Sequence, residues 1–85
     1  MEETKVGIVT HYFSRAGVAA IKITEGALSI GDTIHIKGNT TDFTQKLESM
    51  QIEHQPVQIV HAGDDIGAKV DAPAREQDIV YKVTA

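Results

Sequence analysis

The sequence contains no cysteine and no tryptophan, and it has only two prolines, two tyrosines and two phenylalanines. Without cysteine, neither a disulfide framework nor a thiolate metal site can hold the chain together. No apolar run approaches the roughly 20 residues that a membrane-spanning helix needs. The first residues, MEETKVG, are acidic and lack the apolar core of a signal peptide. These absences predict a cytoplasmic protein that is not associated with a membrane.

Basic residues are also scarce. Twelve acidic residues stand against eight basic ones, for a net charge of -4, and no two basic residues are adjacent. Binding of phosphates is driven by Lys and Arg, so the composition does not favour generic nucleic-acid binding. The chain has no G-x-x-x-x-G-K-[ST] loop, which predicts that it does not bind GTP by itself. The length of 85 residues predicts one domain over residues 1–85.

What the sequence does have is apolar–polar alternation with a period of two, which predicts strands rather than helices. In TIHIK this places Ile34 and Ile36 in the core and His35 in solvent. About six such strands, separated by turn signals, predict an all-β fold in the form of a small closed six-stranded β-barrel. Closure would leave no unpaired strand edge.

The long run TTDFTQKLESMQIEH shows a change in the phase of this alternation. Phe43 and Leu47 lie at odd positions, whereas Met50 and Ile52 lie at even ones. Such a change predicts a β-bulge, which we place near Glu48–Ser49.

The segments after this run are less regular. Pro56 restricts its segment to an edge strand or a loop. Val57–Ala62 is the best candidate for a helical turn. The closing strand IVYKV is expected to place Ile79, Tyr81 and Val83 on one face.

Gly-Asp pairs mark two of the turns. Gly31 and Gly63 permit tight turns that a Cβ atom would strain, and the carboxylates of Asp32 and Asp64 are expected to accept hydrogen bonds from backbone N–H groups there. Gly67 is expected to allow close approach of a neighbouring backbone.

The order of these elements resembles the second domain of translational GTPases such as elongation factor Tu. The matching positions are Gly26, Leu28, Gly31, Asp32, Ile34, Met50, Ala62, Gly63, Asp64, Ile66, Gly67, Arg75, Asp78 and Val80. The chain is most similar to stand-alone translation elongation factor-like proteins of prokaryotes, and a similar barrel ends some U32-type peptidases. The first resemblance implies a domain 2-type barrel acting as a non-catalytic binding module in translation, with tRNA or another RNA as partner. The alternative is an accessory barrel that docks on a larger enzyme such as a U32-type peptidase.

Two segments are candidates for a binding surface, because THYFSR and GNTTDF place aromatic, basic and hydroxyl side chains at turns. The candidate binding residues are His11, Tyr12, Phe13, Arg15, Lys37, Asn39, Thr40, Thr41, Phe43, Lys46 and Gln51. The competing interpretation is that Tyr12 or Phe13, and Phe43, lie in the core or at the rim of the barrel. RNA binding predicts that Arg15, Lys37 and Lys46 cluster beside an exposed Phe13 or Phe43. A protein partner predicts an exposed apolar patch instead.

Catalytic and metal sites are not expected. The histidines, at positions 11, 35, 54 and 61, form no HxH or HxxxH pair of the kind that metal sites favour. No nucleophile elbow of the G-x-S-x-G type is present. The sequence therefore predicts that this chain is not an enzyme and that it holds no metal or other cofactor.

Overall fold

The computed structural model describes residues 2–84, which contain ten β-strands and no helix. The all-β class is therefore confirmed. The strands are β1 (Glu2–Phe13), β2 (Val18–Ile23), β3 (Ala27–Ser29), β4 (Thr33–Lys37), β5 (Asp42–Lys46), β6 (Met50–Ile52), β7 (Gln55–Pro56), β8 (Ile59–His61), β9 (Asp65–Lys69) and β10 (Ile79–Thr84).

Eight of these strands form one sheet in the order β5-β4-β10-β1-β2-β9-β6-β7, and β3 pairs with β8 separately. Neighbouring strands are antiparallel. The sheet is open, with β5 and β7 at its edges. The prediction of a closed six-stranded barrel is wrong on closure and on strand number; the run TTDFTQKLESMQIEH, for example, was predicted as one strand but contains β5 and β6.

The open sheet still curls around its core. Five strands lie between β5 and β6 in the sheet order, which in a flat sheet would separate them by roughly 29 Å. In the chain they are joined by residues 47–49 alone, and such a link spans at most roughly 14 Å. The sheet must therefore bend back on itself until the two strands are close.

The prediction of a β-bulge near Glu48–Ser49 is wrong. Residues 47–49 form the link between β5 and β6 instead of continuing one strand. Leu47 accepts a hydrogen bond from the Gly31 N–H at 2.8 Å and donates one to the Asp32 carbonyl at 2.8 Å. These bonds extend the β4–β5 pairing by one residue. Residues 48–49 then lie outside any strand, and the change in apolar phase falls at this break. The irregularities in strand pairing lie in β1.

A side chain joins β5 to the end of β9 where no strand ladder does. Gln45 is 8% exposed. Its Nε2 donates to the Lys69 carbonyl at 3.1 Å, and its Oε1 accepts from the Asp71 N–H at 2.6 Å. The buried amide of Gln45 therefore provides hydrogen-bond partners for two backbone groups at and just after the end of β9.

The core is entirely aliphatic apart from Met50, and none of the four aromatic side chains belongs to it. Ile34 and Ile36 are fully buried, as the alternation predicts. In β10 the buried residue is Val80, and the predicted face of Ile79, Tyr81 and Val83 is only half-buried. Ile79, Tyr81 and Val83 do share one face, as expected, and it is the face opposite the buried Val80.

Three turns share one geometry. In each, an Asp carboxylate accepts a hydrogen bond from the N–H three residues earlier, at 2.8 to 2.9 Å. The turns are Ser29–Asp32, His61–Asp64 and Arg75–Asp78. Each leads directly into a core strand, and the third residue has a φ of 97°, 100° or 79°. The predicted roles of Asp32 and Asp64 are confirmed.

The lower end of the core is closed by β3 and β8, where Leu28 and Val60 pair and are fully buried. Because β8 occupies Ile59–His61, the predicted helical turn at Val57–Ala62 is wrong. Pro56 lies in β7, at the sheet edge, as expected. Within residues 2–84, no helix has the length and apolar character to cross a membrane.

Candidate functional site

The structure divides most of the predicted binding residues between two surface depressions. The Phe13 groove, with a volume of about 390 Å³, is lined by Phe13, Val18, Ala20, Gln51, Glu53 and Gly67, among others. The Arg75 cleft, with a volume of about 520 Å³, is lined by Tyr12, Thr40, Thr41, Phe43, Pro73 and Arg75, among others. His11, Arg15 and Lys46 line neither surface.

The floor of the Phe13 groove is the outer face of three neighbouring strands. Ala20 of β2, Gly67 of β9 and Gln51 of β6 lie side by side in the strand register. Their chain neighbours Ile21, Ile66 and Ala68 are buried, so the floor residues face outward. Ala20 and Gly67, the small residues of this row, leave a trough beside the Gln51 side chain.

Phe13 forms one wall of the groove. Its side chain is 50% exposed although it is large and apolar. The His11 ring contacts it edge-on, with ring centroids 4.5 Å apart and planes at 66°. His11 Nδ1 also lies 3.4 Å from Glu76 Oε2. The exposed ring therefore has an aromatic contact with His11, a side chain that is itself about half exposed.

A tight hairpin borders the same groove. Glu53 and His54, between β6 and β7, have φ angles of 49° and 65°. Two consecutive positive φ angles are typical of a type I′ turn, which favours Asn-Gly. A residue other than glycine in the left-handed region costs about 1–3 kcal/mol. The sequence could not reveal this turn because it has neither asparagine nor glycine there.

The Arg75 cleft offers less accessible apolar surface. Thr41 is buried, and Tyr12 and Phe43 are half-buried against the core. Lys37, Asn39 and Thr40 line an adjoining depression together with Arg75. Pro73 and Arg75 were absent from the predicted set, and only the approach of the loop before β10 to the β4–β5 hairpin brings them here.

A polar cluster lies on the outer face of β1, β4 and β5. His35 Nδ1 is 2.8 Å from Glu3 Oε1, and His35 Nε2 is 2.5 Å from Asp42 Oδ1. Ionised carboxylates only accept hydrogen bonds, so this arrangement favours the charged imidazole, in which both ring nitrogens donate. The hydrogen bonds to Glu3 and then Asp42 raise the pKa of His35. The bond from His35 lowers the pKa of Asp42.

The prediction that His35 faces solvent is wrong, since its side chain is only 14% exposed. It does lie on the outer face, but carboxylates from two other strands cover it. Within residues 2–84, no group of three or more His, Cys, Asp or Glu side chains is arranged to hold a metal ion.

The basic residues expected to mark an RNA-binding face are spread out. Arg15 lies in the turn after β1. Lys37 pairs with Asp42 and Lys46 pairs with Thr33, so the two lysines occupy opposite ends of the β4–β5 hairpin. That separation is roughly 14 Å along the strands. The geometry therefore lacks the concentrated positive charge that phosphate binding requires.

Comparison with solved structures identifies the class of fold. The chain superposes on the C-terminal domain of a Geobacillus thermoleovorans protein assigned to the U32 peptidases, with a TM-score of 0.87 over 94% of this chain and 92% of that domain. The selenomethionine variant of the same domain gives 0.84 over 91% and 96%. Sequence identities are 22% and 21%, so this likeness shows the fold alone.

Comparison with curated proteins gives more similar sequences. The chain is 40% identical over 82 residues to a collagenase of Porphyromonas gingivalis. It is 38% identical over 78 residues to an uncharacterized protease of Methanocaldococcus jannaschii. These matches take in 95% and 91% of this chain but only 23% and 19% of the relatives, so the chain spans about a fifth of their length. No protein-family model matches it.

These findings correct the main functional prediction. The relatives are named as proteases and a collagenase, and the structural neighbours come from a U32 peptidase. The resemblance to stand-alone elongation factor-like proteins and the predicted translation or RNA-binding role are therefore wrong. The misleading residues, Gly31-Asp32 and Gly63-Asp64, form turns that the fold requires. They identify a strand connection and carry no information about a ligand.

Proposed function

We propose that this chain is a non-catalytic accessory domain of a U32-type peptidase, where it contacts the body of the peptidase. The observation that carries the proposal is the partial match to the relatives. Nearly the whole chain aligns with about a fifth of a protease and of a collagenase. In both relatives the matching segment accompanies a much larger remainder of the protein, and we assign the catalytic role to that remainder.

The polar groups of the described residues support a role other than catalysis. The best-organised titratable cluster is Glu3–His35–Asp42, and both ring nitrogens of His35 are engaged by carboxylates. A general base must have a nitrogen free to accept a proton from the reacting group.

Further sequence-based predictions accompany this proposal. One domain over residues 1–85, no GTP binding, no metal or other cofactor, and a cytoplasmic location remain predictions. The partner is the remainder of the peptidase, whether it belongs to the same polypeptide or to a separate one.

The test uses the collagenase of Porphyromonas gingivalis. Three proteins are compared for hydrolysis of gelatin: this chain alone, the collagenase without the segment that matches this chain, and a chimera in which this chain replaces that segment. We expect no hydrolysis by the chain alone and a several-fold higher kcat/KM for the chimera than for the truncated collagenase. A chimera in which a flexible linker replaces the segment is the control.

Two results would contradict the proposal separately. Gelatin hydrolysis by the isolated chain would show that it is itself a catalyst. The accessory role would be excluded if the chimera and the linker control were equally active and this chain made no contact with the collagenase body.

A further inference from the structure

We infer that the Phe13 groove is the surface that docks on the peptidase body, and that it receives an extended segment presenting an apolar side chain beside a basic one. The inference rests on the proposed function and adds the surface and the chemistry of the partner.

The outer face of the sheet is apolar only locally. An antiparallel sheet with one solvated face normally carries polar residues there, as β4 does with Thr33, His35 and Lys37. In β2 the outward positions next to the groove are Val18 and Ala20, and both are incompletely buried. Exposed apolar surface in a trough is typical of an interaction site.

Gly67 keeps the groove open. A Cβ atom at this position would lie 3.4 Å from Val18 Cγ1 and 3.5 Å from Gln51 Cγ. These are side-chain atoms, so the predicted close approach of a neighbouring backbone is not the reason for this glycine. Its φ lies outside the left-handed region, so the backbone would accept a side chain. The absent side chain instead provides the space between Val18 and Gln51.

Phe13 supplies an anchor at the edge of this space. Aromatic side chains are enriched among the residues that dominate binding energies at protein interfaces. The edge-on contact with the His11 ring favours one orientation of Phe13, which lowers the side-chain entropy lost on docking. An aromatic ring that is exposed but has a preferred orientation is more typical of a protein interface than of the remaining surface.

The charges beside the groove specify the partner. The carboxylates of Glu53 and Asp65 line it, and the chain carries a net charge of -4. Lys22 Nζ lies 3.6 Å from Asp65 Oδ2, but the two side chains are 43% and 75% exposed, and such a pair contributes little. The positive φ angles of Glu53 and His54 fix the hairpin that presents Glu53. A basic residue on the docking segment would complement this rim.

The test joins this chain, labelled at its alanine methyl groups, to the unlabelled collagenase body by enzymatic ligation. Methyl spectra of the joined protein and of the isolated chain are then compared. Ala16 and Ala20 report on the Phe13 groove, whereas Ala72 and Ala74 report on the Arg75 cleft. We expect shifts at Ala16 and Ala20 and unchanged positions for Ala72 and Ala74.

The outcomes separate this inference from the proposed function. Shifts confined to Ala72 and Ala74 would overturn the groove assignment and leave the accessory role standing. Unchanged methyl positions throughout would overturn both. Concentration-dependent dimerisation of the isolated chain, abolished by Phe13→Ala, would assign the groove to a second copy and overturn the inference.

Matched variants exclude a loss of folding as the explanation. Phe13→Ala removes the anchor, and Gly67→Leu fills the trough; each should abolish the shifts at Ala16 and Ala20. Ile59→Ala is the control, because Ile59 is similarly exposed, at 52%, but does not line the groove. It should leave the shifts unchanged. Glu53→Lys should weaken docking several-fold, and all variants should retain cooperative thermal unfolding.

Discussion

Replacing Gly38 by alanine tests the packing of the turn that leads into β10. Asp78 is 4% exposed, and its Oδ2 accepts a hydrogen bond from the Arg75 N–H at 2.8 Å. A Cβ atom at position 38 would collide with Asp78 Oδ1 and lie 2.7 Å from its Cγ. The φ of Gly38 lies outside the left-handed region, so the expected effect of the alanine is steric.

The magnitudes follow from these contacts. Forcing a methyl group into a filled site costs about 1–3 kcal/mol, and we expect about 2 kcal/mol for Gly38→Ala. Asp78→Ala leaves the Arg75 N–H without its partner, which costs about 1–3 kcal/mol. In the double variant the methyl group occupies the space left by the carboxylate. Gly38→Ala should then cost less than about 0.5 kcal/mol, giving a coupling energy of about 1.5 kcal/mol.

Urea unfolding of the four proteins in this cycle measures the coupling, provided that the m-values agree. In thermal unfolding, each kcal/mol corresponds to about 4–8 °C in a domain of this size. Gly63→Ala is the matched control. Gly63 has a φ of 100° and no atom near its absent Cβ, so its cost comes from the backbone and should be equal with and without Asp78. Additive effects of Gly38→Ala and Asp78→Ala would refute the packing argument.

Three further predictions concern stability. Gln77→Gly should stabilise the protein by about 1 kcal/mol, because Gln77 has a φ of 79°; an unchanged or lower urea midpoint would count against this. Leu28→Ala should destabilise by about 2–5 kcal/mol, since Leu28 is fully buried; a loss below about 1 kcal/mol would mean that β3 does not seal the core. His35→Gln should lower Tm at low pH more than at high pH. Because the pKa of His35 is raised in the folded protein, its contribution to the free energy of unfolding is complete below about pH 6.5. That contribution is lost as the pH rises through the raised pKa. A Tm difference that is the same at about pH 5.5 and pH 9 would contradict this account.

Local patterns predicted the parts of the fold that depend on neighbours in the chain. The alternation in TIHIK correctly placed Ile34 and Ile36 in the core, and the Gly-Asp pairs correctly marked two turns. The third turn, Arg75–Asp78, has the same hydrogen bond but carries Gln77 where the others have glycine. The polar run PAREQD predicted a loop there, but without the glycine it did not predict a turn of the same type.

Distant pairings were not predictable in the same way. A one-residue slip of a strand reverses which side chains face the core, and only the combined packing of all strands decides among registers. The Glu3–His35–Asp42 cluster joins residues from three strands. His35 therefore looked solvent-exposed when its own strand was considered alone.

The sequence by itself determined an all-β chain, the turns at Asp32 and Asp64, and the inward face of β4. These follow from side-chain alternation and turn chemistry, which act over a few residues. Only the tertiary structure decided that the sheet stays open and that Phe13, Ala20, Gly67 and Gln51 form one groove. Those residues come from four strands, β1, β2, β9 and β6, and their proximity depends on long-range register, which is set by closing one core around every strand at once.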